Sequence, residues 1–237
     1  MTASAALHIE RVLVKISGES LSKGSDNFFD FCAARRICSD VKNLIARGTK
    51  VSIVVGGGNI IRGRSLEGDI RREAADSVGM CATVINGMIL SEIFSELSVS
   101  NVILSPINVP FGIENSNIKT INDNRDKVII FVGGTGFPHF STDTAAVINA
   151  VMTGADMMLK ATKTNGIYDR DPHKYDNAKF IASISYEEAI SNNIAVMDKT
   201  AFVLAMENNL KIVIFSINED DCFCRAIDGS ISRSVVS

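Results

Sequence analysis

Two lysines stand where lysines are costly. Lys15 interrupts the apolar run Val12-Leu13-Val14-Lys15-Ile16, and Lys160 ends Met157-Met158-Leu159-Lys160, with Lys163 just beyond. An unpaired ammonium inside a buried strand costs several kcal/mol, so each must reach water or an anion at its strand end. A lysine snorkelling from an edge would meet the same demand. Three strand-like runs also break into glycine. The first enters Ser17-Gly18-Glu19-Ser20, Val51-Ser52-Ile53-Val54-Val55 enters Gly56-Gly57-Gly58-Asn59, and Val128-Ile129-Ile130-Phe131-Val132 enters Gly133-Gly134-Thr135-Gly136-Phe137-Pro138, followed by Ser141-Thr142-Asp143. Glycine lets backbone N–H groups approach a bound group, and Ser141, Thr142 and Asp143 supply cap oxygens at the positive end of a helix. One such turn could serve geometry alone. Three in one chain favour a shared pocket, because ligands in open parallel sheets collect outside the carboxyl ends of the strands. Cations and amides around one crevice suit phosphoryl transfer, which asks for in-line placement and neutralised charge, so lysines, N–H groups and Mg²⁺ suffice.

Arg62, four residues past Gly58, and Asp76 are candidates for a second ligand, a forked donor for phosphate and an acceptor for paired ribose hydroxyls. A solvated helix face is the plainer reading of either alone. The chain lacks G-x-x-x-x-G-K-[ST], H-R-D and D-F-G, and its glycine spacings do not match G-x-G-x-x-G, which disfavours Walker-type NTPases, protein kinases and Rossmann oxidoreductases. His8, His139 and His173 are too scattered to build a metal cluster by proximity, and none sits beside an obvious nucleophile. Five cysteines without zinc-type pairing are expected to be reduced thiols.

These residues need a scaffold that brings strand ends together. Strand-like and helix-like segments alternate throughout, which predicts an α/β fold: a three-layer αβα sandwich on a mainly parallel central sheet. The expected strands run from about Arg11 to Ile16, Lys50 to Val55, Val102 to Ser105, Val128 to Val132, Met157 to Lys160 and Ile212 to Phe215, with a last one after Gly229. A helix opens at Asp30 with Phe31, Ala34, Ile37, Cys38, Val41, Leu44 and Ile45 on one face. A long helix runs to about Leu97, apolar on more than one side (Ile85, Met88, Ile89, Leu90, Ile93, Phe94), a pattern that fits subunit packing or full burial equally. We expect one domain, its acceptor-binding half about 1–154 and its nucleotide-binding half about 155–237. A net charge of -3 and the absence of an 18-residue apolar run argue against nucleic-acid and membrane partners and for the cytoplasm.

An ordered set of motifs adds to this reading: Val14-Lys15-Ile16-Ser17-Gly18-Glu19-Ser20-Leu21, Val55-Gly56-Gly57-Gly58-Asn59-Ile60-Ile61-Arg62-Gly63, Asp76 with Gly79 to Gly87, Gly134-Thr135-Gly136-Phe137-Pro138-His139-Phe140-Ser141-Thr142-Asp143, Leu159-Lys160-Ala161-Thr162-Lys163 and Val196-Met197-Asp198. Together they resemble the bacterial-type uridylate (UMP) kinases of the amino acid kinase superfamily, across essentially the whole chain. The resemblance implies that Lys15, Ile16, Ser17 and Gly18 meet ATP phosphates, and that Gly58 and Arg62 lie between donor and acceptor phosphates. Thr162, Tyr168 and Asp171 would line the ATP nucleoside site. UMP would be held by Gly57, Asp76, Thr135, Gly136, Phe137, Pro138, His139, Phe140, Ser141 and Thr142. Catalysis would rest on Lys15, Arg62, Asp143 and Lys160, with Mg²⁺ carried by ATP. It further implies a homohexamer, activation by GTP and inhibition by UTP. Three departures stand out: Phe137 where the family usually has Asn, Asn165 where it has Asp, and a Lys23–Phe28 effector segment short of basic residues and glycines. The alternatives are a superfamily kinase acting on an amino acid or carbamate, and a non-catalytic binding or storage protein, since the fold also occurs in an oxyanion storage protein.

Overall fold

The computed structural model describes residues 9–22, 28–61, 66, 68–172 and 174–237. The run around Lys15 forms β1 (Arg11–Ile16), buried at every position, as befits the middle of a parallel sheet. Asp30 caps α1 (Phe31–Ala46) by accepting from the amides of Cys32 and Ala33, and β2 (Lys50–Val55) follows. Then come α2 (Arg72–Glu96), β3 (Asn101–Ser105), the two-residue β4 (Glu114–Asn115), α3 (Ile118–Asp123) and β5 (Val128–Phe131). Ser141 caps α4 (Thr142–Thr153), which Gly154 ends in the left-handed conformation. The chain continues through β6 (Met157–Thr162), the hairpin-like pair β7 (Ile167–Tyr168) and β8 (Phe180–Ile181), β9 (Ser183–Ile184), α5 (Tyr186–Ser191) and α6 (Lys199–Glu207). It finishes with β10 (Lys211–Ser216), α7 (Cys222–Asp228) and β11 (Arg233–Val236).

Nine strands join in the order β4-β3-β5-β2-β1-β6-β10-β11-β9, every pair parallel except β10 with β11. Alternation along β1 sorts the core into two layers. Val12, Val14 and Ile16 join α1, α2 and α7 on one side of the sheet, while Leu13 packs with α4, α5 and α6 on the other. This is the sandwich that the alternating pattern predicts, and β5, β2, β1 and β6, the strands bearing the glycine turns and both lysines, are consecutive.

Some local expectations differ. Phe31 is 55 % exposed instead of joining the apolar face of α1, and its ring leans on Phe29 with centroids 5.0 Å apart. Helix α3 is unannounced by apolar periodicity because Ile121 is its one buried residue; an Asn117 cap starts it. Among the described residues α2 is the one helix long and apolar enough to cross a membrane by length and composition. Its buried Leu90, Ile93 and Phe94 pack in the core, while Ile85 and Met88 remain exposed.

Candidate active site

The register of β1 on β6 sets Lys15 directly beside Lys160. Neighbouring ammonium groups on one face of a sheet repel. The first turn of α4 supplies the counter-charge: Asp143 Oδ1 lies 2.8 Å from Lys15 Nζ and also accepts from Lys160 Nζ. The three side chains are only 10 %, 14 % and 6 % exposed for Lys15, Asp143 and Lys160. Burial pushes the Asp143 carboxyl up, but Lys160 and then Lys15 outweigh it and hold the group at about 2. Burial, reinforced by the Lys15 charge, brings the Lys160 ammonium down to about 8 although Asp143 opposes the change. Two cations on one carboxylate leave an excess positive charge in a nearly dry setting, which is a socket for an anion.

Glycine turns close around this cluster. Gly56 N donates to Ile16 O at 2.9 Å, joining the exits of β1 and β2. A Cβ on Gly18 would stand 2.5 Å from Asn59 Oδ1, 2.6 Å from Gly56 O and 2.7 Å from Gly58 N, so the two turns touch as only glycine allows. Gly57 presses on α2, where a Cβ would fall 2.7 Å from that of Ala82. At the third exit Gly133 N donates to Thr83 Oγ1 of α2 at 2.7 Å, and Gly133, Gly134 and Gly136 all carry positive φ.

Beside Asp143 opens a cavity of about 720 Å³, a size suited to a small-molecule ligand. Gly57 and Gly58 form part of its wall, α2 contributes Arg72, Asp76, Gly79, Met80 and Thr83, and Phe137, His139, Phe140 and residues 141–144 face them. Asp76 Oδ2 accepts from His139 N at 2.8 Å, holding a residue whose φ is 69°. His139 Nε2 approaches Glu73 Oε1 at 3.4 Å, so the loop after β5 is fastened to the first turns of α2 at two points. Ser141 Oγ accepts from Asp143 N at 2.9 Å and donates to Asp198, which also receives Thr144 Oγ1 at 3.0 Å. The N-termini of α4 and α6 are thereby tied together through Asp198, the cap of α6.

Of the residues expected around UMP, Gly57, Asp76, Phe137, His139, Phe140, Ser141 and Thr142 line this cavity, whereas Thr135, Gly136 and Pro138 of the same loop do not. Phe137 is 70 % exposed, its ring at the cavity where an amide would offer donors. Lys15 and Lys160 meet at Asp143, with Ile16, Ser17 and Gly18 immediately after Lys15. Thr162 ends β6 and donates to Thr164 O at 2.6 Å. Tyr168 donates to Asn165 Oδ1 at 3.0 Å, and neither it, Thr162 nor Asp171 borders the cavity. Arg62, and residues 23–27 of the expected effector segment, lie outside the described residues.

Glu19, Arg72 and Asp198 border the cavity without having been assigned to it from the sequence. Asp198 had a legible signal, an acid opening a helix after the Val196-Met197 motif. Arg72 had none, since it is one of several charges in its segment.

The amino acid kinase family model matches residues 10–216. A uridylate kinase of Campylobacter curvus is 44 % identical over 209 residues, covering 86 % of this chain and 88 % of that one. One of Campylobacter hominis is 40 % identical over 227 residues, covering 94 % and 96 %. Among solved structures, the UMP kinase of Ureaplasma parvum superposes with a TM-score of 0.92 at 34 % identity, over 98 % of this chain and all of that one (100 %). The UMP kinase of Bacillus anthracis superposes with a TM-score of 0.91 at 29 % identity, over 97 % and 96 %. The chain thus belongs to the amino acid kinase family and, within it, to the uridylate kinases.

Proposed function

We infer that this chain transfers the γ-phosphate of ATP to UMP, giving ADP and UDP in pyrimidine nucleotide synthesis. The observation that carries the reading is the convergence of Lys15 and Lys160 on Asp143, which itself lines a cavity that also presents Asp76. A phosphate oxygen of UMP forms the new bond to Pγ as the bond from Pγ to the β–γ bridging oxygen breaks, and ADP leaves with that electron pair. Lys15 and Lys160 neutralise the moving phosphoryl, and Asp143 holds them parallel and charged until nucleotide arrives. The amides at Ser17, Gly18, Gly57 and Gly58 bind phosphate oxygens, with Ile16 setting the strand end and Arg62 reaching between the two phosphates. Asp76 takes the UMP ribose, and residues 135–142 enclose the nucleotide. Thr162, Tyr168 and Asp171 receive the ATP nucleoside. In this reading the acceptor half is about 1–154 and the ATP half about 155–237.

Mg²⁺ enters with ATP as part of the substrate. The carboxylate nearest the reacting centre, Asp143, is engaged by two lysines, and among the described residues no group of three His, Cys, Asp or Glu side chains could hold an ion. The exposed Ile85 and Met88 on α2, with Phe28 and Phe31 nearby in sequence to the start of α1, supply apolar area for assembly into a homohexamer. Activation by GTP, inhibition by UTP and a cytoplasmic setting complete the proposal by analogy with the family. A coupled ADP-release assay across UMP, CMP, dUMP, carbamate and amino acids tests the core of it. Turnover with UMP is expected; preference for a carboxylate, or stoichiometric nucleotide retention without turnover, would overturn it. Lys15→Ala should lower kcat far more than Tm.

A further inference from the structure

Two hydrogen bonds join a pair of asparagines that have no role in the account so far, and two more tie the pair to the backbone. Asn86, in the middle of α2, is fully buried (0 % exposed). Its Nδ2 donates to Asn59 Oδ1 at 2.7 Å and to Gly56 O at 2.7 Å. Asn59 Nδ2 returns a bond to Asn86 Oδ1 at 3.0 Å and donates its other hydrogen to Phe28 O at 2.8 Å. Both amides therefore face each other in a reciprocal pair, and all four of their N–H groups are used. A buried primary amide left unpaired loses its hydration with nothing in return, so this full satisfaction has physical weight. The pair is also the surface on which the two phosphate turns rest. Asn59 Oδ1 would lie 2.5 Å from a Cβ on Gly18, and Asn86 holds the carbonyl of Gly56, the first residue of the other turn.

We propose that the Asn59–Asn86 amide pair is the positioning device of the transfer reaction, holding the 56–58 turn against Gly18 at the separation that lines up donor and acceptor phosphates. This rests on the kinase reading above. Neither side chain touches substrate; both act through the turns they hold. A chain with an amide on both sides can close the ring, whereas a carboxylate on either side cannot. In Asn86→Asp the ionised group sets oxygens against Gly56 O and Asn59 Oδ1. Its protonated form recovers half the lost pairing, donating O–H to Asn59 Oδ1 while its carbonyl accepts from Asn59 Nδ2. The burial that raises such a carboxyl brings its titration into the accessible range.

The test compares Asn59→Ala, Asn59→Asp and Asn86→Asp with the wild type, measuring kcat, both KM values and Tm between pH 6 and 8.5. Asn59 is only half-buried, so its variants keep the test alive if Asn86→Asp does not fold. We expect kcat to fall at least tenfold in Asn59→Ala at saturating nucleotides, with both KM values within about threefold, as for an alignment made only in the transition state. In Asn86→Asp the ratio of kcat to that of the wild type should rise at least threefold as pH drops across the range, while in Asn59→Ala it stays level and Asn59→Asp stays at or below the Asn59→Ala value. A lowered Tm with unchanged kcat, or an Asn86→Asp ratio that ignores pH, would overturn the proposal. Loss of the kinase reading itself would show differently, as absent UMP turnover in the wild type.

Discussion

Replacing Asp143 by Asn removes the carboxylate between Lys15 and Lys160 while keeping its shape. The fall of the Asp143 carboxyl from 3.8 to about 2 corresponds to about 2 kcal/mol of net attraction in the folded chain. That is the lower bound on the cost, since the ammonium groups left behind repel. The upper bound is the protein's escape route, release of the Lys160 proton. From its ordinary value of 10.5, that costs about 4 kcal/mol at pH 7.5. For a chain of this length a loss of 2–4 kcal/mol lowers Tm by roughly 4–16 °C. The upper bound falls by about 1.4 kcal/mol for each pH unit up to about pH 8, where Lys160 of the wild type begins to lose its own proton, so the deficit should shrink between pH 6.5 and 8. Nucleotide should shrink it too, because bound phosphates replace the missing negative charge; ADP will then raise the Tm of the variant more than that of the wild type. Thermal unfolding of both proteins at the two pH values, with and without saturating ADP, measures all of this. A deficit indifferent to both pH and ADP would refute the assignment of Asp143 as the stand-in for phosphate.

The pH–rate profile follows from the same cluster. With Lys160 brought down to about 8 in the free enzyme, kcat/KM for ATP should fall above pH 8, and bound phosphates should displace the corresponding fall in kcat to higher pH; coincident limbs would contradict it. Gly18→Ala places a methyl within 2.6 Å of Gly56 O and 2.7 Å of Gly58 N, so the turns must part. We expect a loss of about 1–3 kcal/mol by chemical denaturation and at least a tenfold drop in kcat, and normal turnover would show the contact to be unimportant. Phe137→Asn exchanges a 70 % exposed ring for an amide at the cavity. Steady-state kinetics should show a lower KM for UMP with Tm unmoved, and a raised KM would mean that the ring itself contacts the acceptor.

Much of this chemistry was legible in one dimension. Lys15 and Lys160 are recognisable because a cation inside an apolar strand has to be answered by an anion, and the 133–136 and 56–58 turns because glycine follows apolar runs at strand exits. The Asp30 and Ser141 caps are equally local, set by a side-chain oxygen two or three residues before the amides it satisfies. Helix α3 was not legible, since one buried residue makes no period, and neither was the exposure of Phe31, which depends on what stands opposite it.

The sequence alone therefore determines the parts: parallel strands, glycine exits, two misplaced lysines and a capped helix, each encoded within a dozen residues by periodicity, cap chemistry and the cost of burying charge. The tertiary structure decides their company. Strand order sets β1 beside β6, residues 145 apart in sequence face each other as Lys15 and Lys160, and α4 arrives from between them in the chain to place Asp143 on both. The same holds for Asn59 with Asn86 and Asp76 with His139. Such pairings carry no local signature, because they depend on which strands become neighbours, and that is settled by packing two apolar layers against one sheet.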